Sequence, residues 1–250
     1  MIRFSFTFLF LLIFNTLCCC QQLPAIQLDR PDQTECPFTV PKNYIQAEIG
    51  FAYEKINKDE EGFLLPTLLI KYGVNDGFEL RLITEIEQQK FADTKSTGLQ
   101  PVTIGFKTKL TEEKNLLPLV SFIGHLTIPF AATKKNKADY YAPAFRFTFQ
   151  HTLSPKFSLA YNLGALWDGY NAAPVFLYTL TTGFSASQKT GLFAEIYGFA
   201  AEHSKPDHRL DAGLTYLINN DIIFDFSAGT KISSNAPQYF LSTGFSFRFK

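Results

Sequence analysis

The sequence predicts an all-β chain, a single antiparallel transmembrane β-barrel of about twelve strands, and three observations lead there. Apolar and polar residues alternate with a period of two along most of the chain, which places one face of each strand against an apolar medium. The predicted strands run mostly 9–13 residues, the length a tilted strand needs to cross a bilayer (~9–11) rather than the ~5–6 of soluble strands. Phe (27) and Tyr (11) are abundant while Met and Trp occur once each, a composition that favours strands over helices. Mean hydropathy near zero with 46% hydrophobic residues suits a soluble protein and a barrel equally, because barrel strands hide apolarity in alternation.

The N-terminus is set apart. Met1-Ile2-Arg3 is a short positive start, Phe4 to Leu17 is an apolar run, and Cys18-Cys19-Cys20 precede polar Gln21-Gln22. This is the pattern of a secretory signal peptide over residues 1–20, too short for a membrane span. Cleavage before Gln21 is the favoured route; Leu17 three residues before Cys20 loosely resembles a lipobox, which would lipidate Cys20. Ordinary cleavage leaves Cys36 alone, so no intramolecular disulfide can form. Residues 21–42, with Pro24, Pro31, Pro37 and Pro41, form a proline-rich segment that cannot pair extensively. It is either an exposed linker or a structured segment packed into or under the barrel, which occupies 43–250.

The strands follow in order. In 43–54, Ile45, Ala47, Ile49, Phe51 and Tyr53 oppose Gln46, Glu48, Gly50 and Glu54. In 64–72 leucines occupy both parities around Pro66, and 73–77 is a tight turn. Regions 78–87, 101–110, 117–130, 141–153, 158–168, 174–186, 191–201, 208–217 and 222–231 repeat the alternation. The last strand, within 237–250, sets Phe245, Phe247 and Phe249 toward lipid and Ser246 and Arg248 inward, and pairs with 43–54 across the seam. One set of connections is uniformly short and the other more variable, as in outer-membrane barrels. An even strand count puts both termini on the short-turn side.

Alternation alone does not separate a membrane barrel from a soluble sandwich. Three features favour the membrane: the polar parity is rich in Gly, Ser and Thr; the strands are long; and aromatic residues such as Tyr53, Tyr72, Phe78, Trp167, Phe176 and Tyr216 collect near strand ends, at girdle level. The aromatic closing strand resembles that of outer-membrane barrels.

Candidate functional residues lie on the inward parity: Lys71, Glu79, Arg81, Glu85, Lys107, Lys109, Arg146, Arg209, Asp211 and Arg248. Lys71, Glu79 and Lys109 are expected to form a cross-strand ion row, and Arg81, Lys107 and Arg146 to bias the lumen toward anions. Catalysis finds little footing. His125 with Thr127, His151 with Ser154, and His203 with His208 show no nucleophile–base arrangement, and neither a metal-ligand spacing nor a phosphate-cradling loop is present. No cofactor is expected. Net charge is zero, 23 basic against 23 acidic residues, which offers no field for nucleic acid.

Asp29-Arg30-Pro31-Asp32-Gln33-Thr34-Glu35, followed by Pro37-Phe38-Thr39-Val40-Pro41, resembles the opening motif of the phenol-degradation MetA-pathway family of bacterial outer-membrane barrels. Matching stretches include Pro143-Ala144-Phe145-Arg146-Phe147, Pro206-Asp207-His208-Arg209-Leu210-Asp211-Ala212-Gly213 and Gly244-Phe245-Ser246-Phe247-Arg248-Phe249. Cys36 and Lys250 depart from the pattern. The resemblance implies a Gram-negative outer-membrane barrel of transporter type, with membrane lipid, the barrel-assembly machinery and an unknown small solute as partners. The expected function is a channel or transporter for small solutes, hydrophobic or aromatic ones included. A plugged structural or ligand-binding barrel is the alternative, and an outer-membrane lipase-type enzyme a more distant one.

Overall fold

The computed structural model describes residues 23–250; the expected signal peptide and the lipidation alternative at Cys20 lie outside the described residues. Thirteen strands follow one another: β1 (Ile45–Lys55), β2 (Glu60–Asn75), β3 (Phe78–Phe91), β4 (Thr94–Leu99), β5 (Thr103–Thr111), β6 (Leu119–Thr127), β7 (Ala142–Thr152), β8 (Phe157–Leu166), β9 (Val175–Ser185), β10 (Thr190–Ala201), β11 (Asp207–Asn219), β12 (Ile222–Lys231) and β13 (Tyr239–Phe249). Twelve of them close an antiparallel barrel, and β4 is an addition to its rim. Closure runs through β1 and β13, in register from Ile45↔Phe249 to Lys55↔Tyr239.

The additional strand, β4, lies between the regions 78–87 and 101–110, where the alternation predicts no strand. β3 pairs with β5 through Phe78–Ile83 and with β4 through Ile86–Phe91. Pro101 interrupts what would be one long strand, because it has no N–H to give to the ladder. The amide of Gln100 still donates to the Glu85 carbonyl at 2.8 Å, so β4 continues upward from β5. Its far edge is covered by the 128–141 loop, where the Thr133 hydroxyl accepts the Leu99 amide at 2.8 Å and Lys135 donates to Ser96 at 2.7 Å. Covering the edge removes a template for non-native pairing.

The alternation is realised with the apolar parity outside. Phe51, Leu80, Ile104, Leu163, Phe224 and Phe226 stand about half exposed on the outer wall, while Ser121, Thr148, Asn162, Ser227 and Ser246 are fully buried within. Such a continuous apolar exterior is unfavourable in water and is satisfied by lipid. Along the outer wall, Phe78, Phe106, Phe122 and Phe147 touch in sequence across four strands, at centroid separations of 5.1–6.0 Å. On β13, Phe245, Phe247 and Phe249 stack on the lipid side as Ser246 and Arg248 point inward. The blurred leucines of β2 have a local cause: register shifts fall between Leu64 and Thr67, around Pro66, and between Gly50 and Ala52 on β1. A bulge flips parity, so leucines on alternate sides of Pro66 both reach the interior.

Candidate functional site

Residues 23–44 fill the middle of the barrel. The chain starts at the short-turn mouth, where the Ile26 amide bonds the Asn220 carbonyl at 2.8 Å and Arg248 holds the Pro24 carbonyl at 2.9 Å. It climbs to mid-height, runs around the wall, and returns to the same mouth, where Thr39 bonds the Asp76 carbonyl at 2.9 Å. The segment proposed from its prolines as linker or plug is therefore an internal loop.

Asp29 is the hub of that loop. One carboxylate oxygen accepts Lys107 Nζ at 2.7 Å; the other accepts Lys71 Nζ and Arg81 Nη1, each at 3.0 Å. The amide of Cys36 donates to Asp29 at 3.1 Å and ties residues 29 and 36 together. The wall register explains why an acid is needed here. Lys71 stands directly opposite Arg81 on β2 and β3, and Glu79 directly opposite Lys107 on β3 and β5. Like charges facing each other are destabilising, and a carboxylate placed between them offsets the repulsion. Glu48 joins Lys71 at 2.5 Å, and Glu79 lies 3.2 Å from Arg81 while accepting the Val40 amide at 2.7 Å.

Beyond the hub the loop crosses the lumen. Arg30 Nη2 reaches Asp225 on β12 at 3.2 Å and Ser242 on β13 at 2.9 Å. It lies over Gly50 and Gly244, which oppose each other in register; a Cβ at Gly50 would overlap the guanidinium. Gly73 does the same where the segment returns, since a Cβ there would collide with the Val40 and Pro41 carbonyls. The Gln33 amide donates to Glu195 on β10 at 2.7 Å, and the Thr34 hydroxyl bonds Glu195 as well. Asn162 on β8 clasps the Glu35 backbone from both sides, at 2.8 and 3.1 Å. The Glu35 carboxylate joins Arg81 at 2.6 Å and Arg146 at 3.5 Å.

The cations that meet the loop and the acids that meet it stand on different arcs of the wall, although Glu48 and Glu79 are interleaved with the cations. Lys71, Arg81, Lys107 and Arg146 stand on β2, β3, β5 and β7; Glu195, Asp211 and Asp225 stand on β10, β11 and β12. Of the loop's charges, Asp29 and Glu35 pair with cations of the first arc and Arg30 with Asp225 of the second. It also divides the lumen. A cavity of about 520 Å³ lies on the long-loop side and one of about 360 Å³ on the short-turn side, and Arg30, Pro31 and Asp32 line both.

Among the residues singled out from sequence, Lys71, Glu79, Arg81, Lys107 and Arg146 converge on the loop. Lys109 does not: it pairs with Glu112 at 2.5 Å in the turn after β5, and the register puts Lys107 opposite Glu79 in its place. The expected row Lys71–Glu79–Lys109 is thus corrected by one step of the pleat. The anion bias expected of Arg81, Lys107 and Arg146 meets a complication, since all three are paired with carboxylates. Arg209 sits near the outer rim, bound to Glu54 and Asp207 at 2.6 Å each, with Tyr197 beneath it. Glu85 lines the outer cavity, Asp211 is buried with neither carboxylate oxygen hydrogen-bonded, and Arg248 joins Asp221 at 2.7 Å near the inner mouth. Of the motif Asp29–Glu35, each residue lies in the loop. Missed from sequence were its sockets Glu48, Asn162, Thr179, Glu195 and Asp225; inward parity was the available signal, but it marks many polar residues alike. Of the histidines, His151 stacks on Tyr161 and His208 bonds the Tyr178 hydroxyl at 2.9 Å.

Comparison with solved structures places the fold. An outer membrane channel from Pseudomonas putida F1 superposes with a TM-score of 0.70 at 11% identity, covering 89% of this chain and 100% of that one. The KdgM porin in complex with disordered oligogalacturonate gives 0.54 at 14% identity, over 81% and 99%. The NanC porin gives 0.54 at 9% identity, over 81% and 98%. The search of curated proteins finds no match. The fold is that of the outer-membrane barrels, and with a family model matching residues 28–249, from the base of the internal loop to the end of the closing strand, the chain belongs to the family described as "Putative MetA-pathway of phenol degradation".

Proposed function

We propose that this protein is an outer-membrane channel for small solutes whose passage is controlled by its own N-terminal loop. One observation carries the reading: Arg30, Pro31 and Asp32 line both cavities, so a solute travelling between them must pass or displace the loop. The charged and polar residues of the loop are fastened by ion pairs and hydrogen bonds, whose partners water can replace when the loop leaves the wall. The superposed channel and porins support a transport role, and the aromatic association in the family description supports small aromatic molecules among the solutes. Flux of small aromatic and polar solutes into proteoliposomes tests the reading. Uptake by the intact chain, increased when residues 28–36 are deleted, is expected. No uptake by either form, with the barrel assembled in both, would leave a plugged binding barrel instead.

A further inference from the structure

The outer cavity holds more negative charge than its arginines answer. Four guanidinium groups line it, and each is already engaged: Arg81 by Asp29 and Glu35, Arg146 by Glu35, Arg209 by Glu54 and Asp207, and Arg30 by Asp225. Glu85 and Glu87 line the same cavity without a cation. They sit two residues apart on the inward face of β3, hence roughly 7 Å apart along the strand. Glu87 is held only by the side-chain amides of Gln89 and Gln100. The Glu85 carboxylate has neither ion pair nor hydrogen bond among the described residues, although the Gln100 amide bonded to its carbonyl keeps it on the wall. Leu64, Leu69, Ile83 and Phe240 supply an apolar wall to the same cavity. Leu64 owes its place to the bulge at Pro66, which also explains why the leucines of β2 break alternation.

An unpaired carboxylate next to an apolar surface, in a space of about 520 Å³, matches an organic cation in both chemistry and size. We propose that the outer cavity is a binding site for a small organic cation, a primary ammonium on an aromatic or aliphatic body. The ammonium lies against Glu85 and Glu87, and the body packs on Leu64, Leu69, Ile83 and Phe240. A carboxylate-bearing solute is disfavoured at the same place by repulsion from the two glutamates. The inference deepens the channel reading and rests on it in one respect: this is the site that a solute entering from outside meets before the loop.

The test uses the full-length protein in detergent and three probes of one skeleton: phenethylamine, 2-phenylethanol and phenylacetate. Isothermal titration calorimetry should show the amine bound about tenfold or more tighter than the alcohol, as one charge-assisted hydrogen bond is expected to contribute, and the acid weakest. The Glu85→Gln and Glu87→Gln double variant should lose that preference and keep the alcohol's affinity. Glu85→Gln alone disturbs no partner, so it should weaken the amine without altering heat-modifiable gel mobility. Equal binding of amine and alcohol, tightest binding of the acid, or an amine preference that survives both substitutions would overturn the assignment. Proteoliposome flux separates the two readings. Amine binding with no flux of any probe would remove the channel and leave the site; flux of the alcohol with no amine preference would remove the site and leave the channel.

Discussion

Replacing Asp29 by Asn removes the charge that seats the loop while keeping its size. With Asp29 in place the hub is balanced: Lys71, Arg81, Lys107 and Arg146 face Asp29, Glu35, Glu48 and Glu79. Asp29→Asn leaves one cation uncompensated among side chains that are almost entirely buried, and breaking a buried pair by removing one partner costs about 3–5 kcal/mol. The penalty falls on the seated state, because an unseated loop opens the lumen and lets water reach the wall cations. The seated-to-unseated ratio should fall by about 10²- to 10⁴-fold, the factor equivalent to that energy. Planar-bilayer conductance reads the opening. Maleimide labelling of Cys36, located by peptide mass spectrometry, reads the loop itself, since the Cys36 amide is tied to Asp29. Both should rise in Asp29→Asn, and adding Lys107→Met, which removes the orphaned charge, should reverse most of the change. Conductance and labelling equal to the parent's, with heat-modifiable mobility showing an intact barrel, would refute the view that these ion pairs hold the loop.

Four further outcomes follow from the geometry. Gly50→Val should push the Arg30 guanidinium away from Asp225 and Ser242 and raise conductance, at an overpacking cost of about 1–3 kcal/mol. Gly62→Ala, where a Cβ meets nothing nearer than 3.9 Å, should leave conductance unchanged. Phe226→Lys, at the middle of the outer face of β12, should lower the folding free energy in bilayers by about 2–4 kcal/mol, with denaturant titration as the check. In the loop after β8, the Asn171 amide and side chain and the Tyr170 amide, each at 2.8 Å, hold the Asp168 carboxyl below its ordinary value. A depressed carboxyl stabilises above its unfolded value of about 3.9 and loses that contribution as pH falls through the folded value. The protection factors of the Tyr170 and Asn171 amides, with exchange referred to the intrinsic rate at each pH, should therefore be steady down to about pH 4 and fall below it, and Asp168→Asn should abolish that dependence.

How much was legible depends on the range of the interaction. The period of two exposes which face of each strand meets lipid, because lipid and lumen impose opposite requirements on neighbouring residues. Phe245, Ser246, Phe247 and Arg248 declare their directions without reference to any other strand. Register is less visible. Lys107 and Lys109 share a parity, and only the ladder between β3 and β5 decides which one faces Glu79. β4 was hidden because Pro101 breaks the alternation just where pairing resumes on its other side. The seat of the N-terminal loop was more hidden still. Its contacts span 19 to 224 positions, from Asp29 with Glu48 to Pro24 with Arg248, and no local pattern encodes which wall residue a loop residue will meet.

The sequence by itself determined the twelve barrel strands, their two faces, the closing pair and the medium around them, because alternation and length answer to the bilayer residue by residue. Only the tertiary structure decided that the proline-rich segment enters the lumen, that Asp29 is shared by three cations from three strands, and that two cavities meet at Arg30, Pro31 and Asp32. Register between β2, β3 and β5 brings Lys71, Arg81 and Lys107 side by side on one wall, and closure through β1 and β13 sets Glu195 and Asp225 within reach of the same loop. That crowding of charge, absent from any one strand, is what makes an acidic and basic loop the favourable occupant of the space between them.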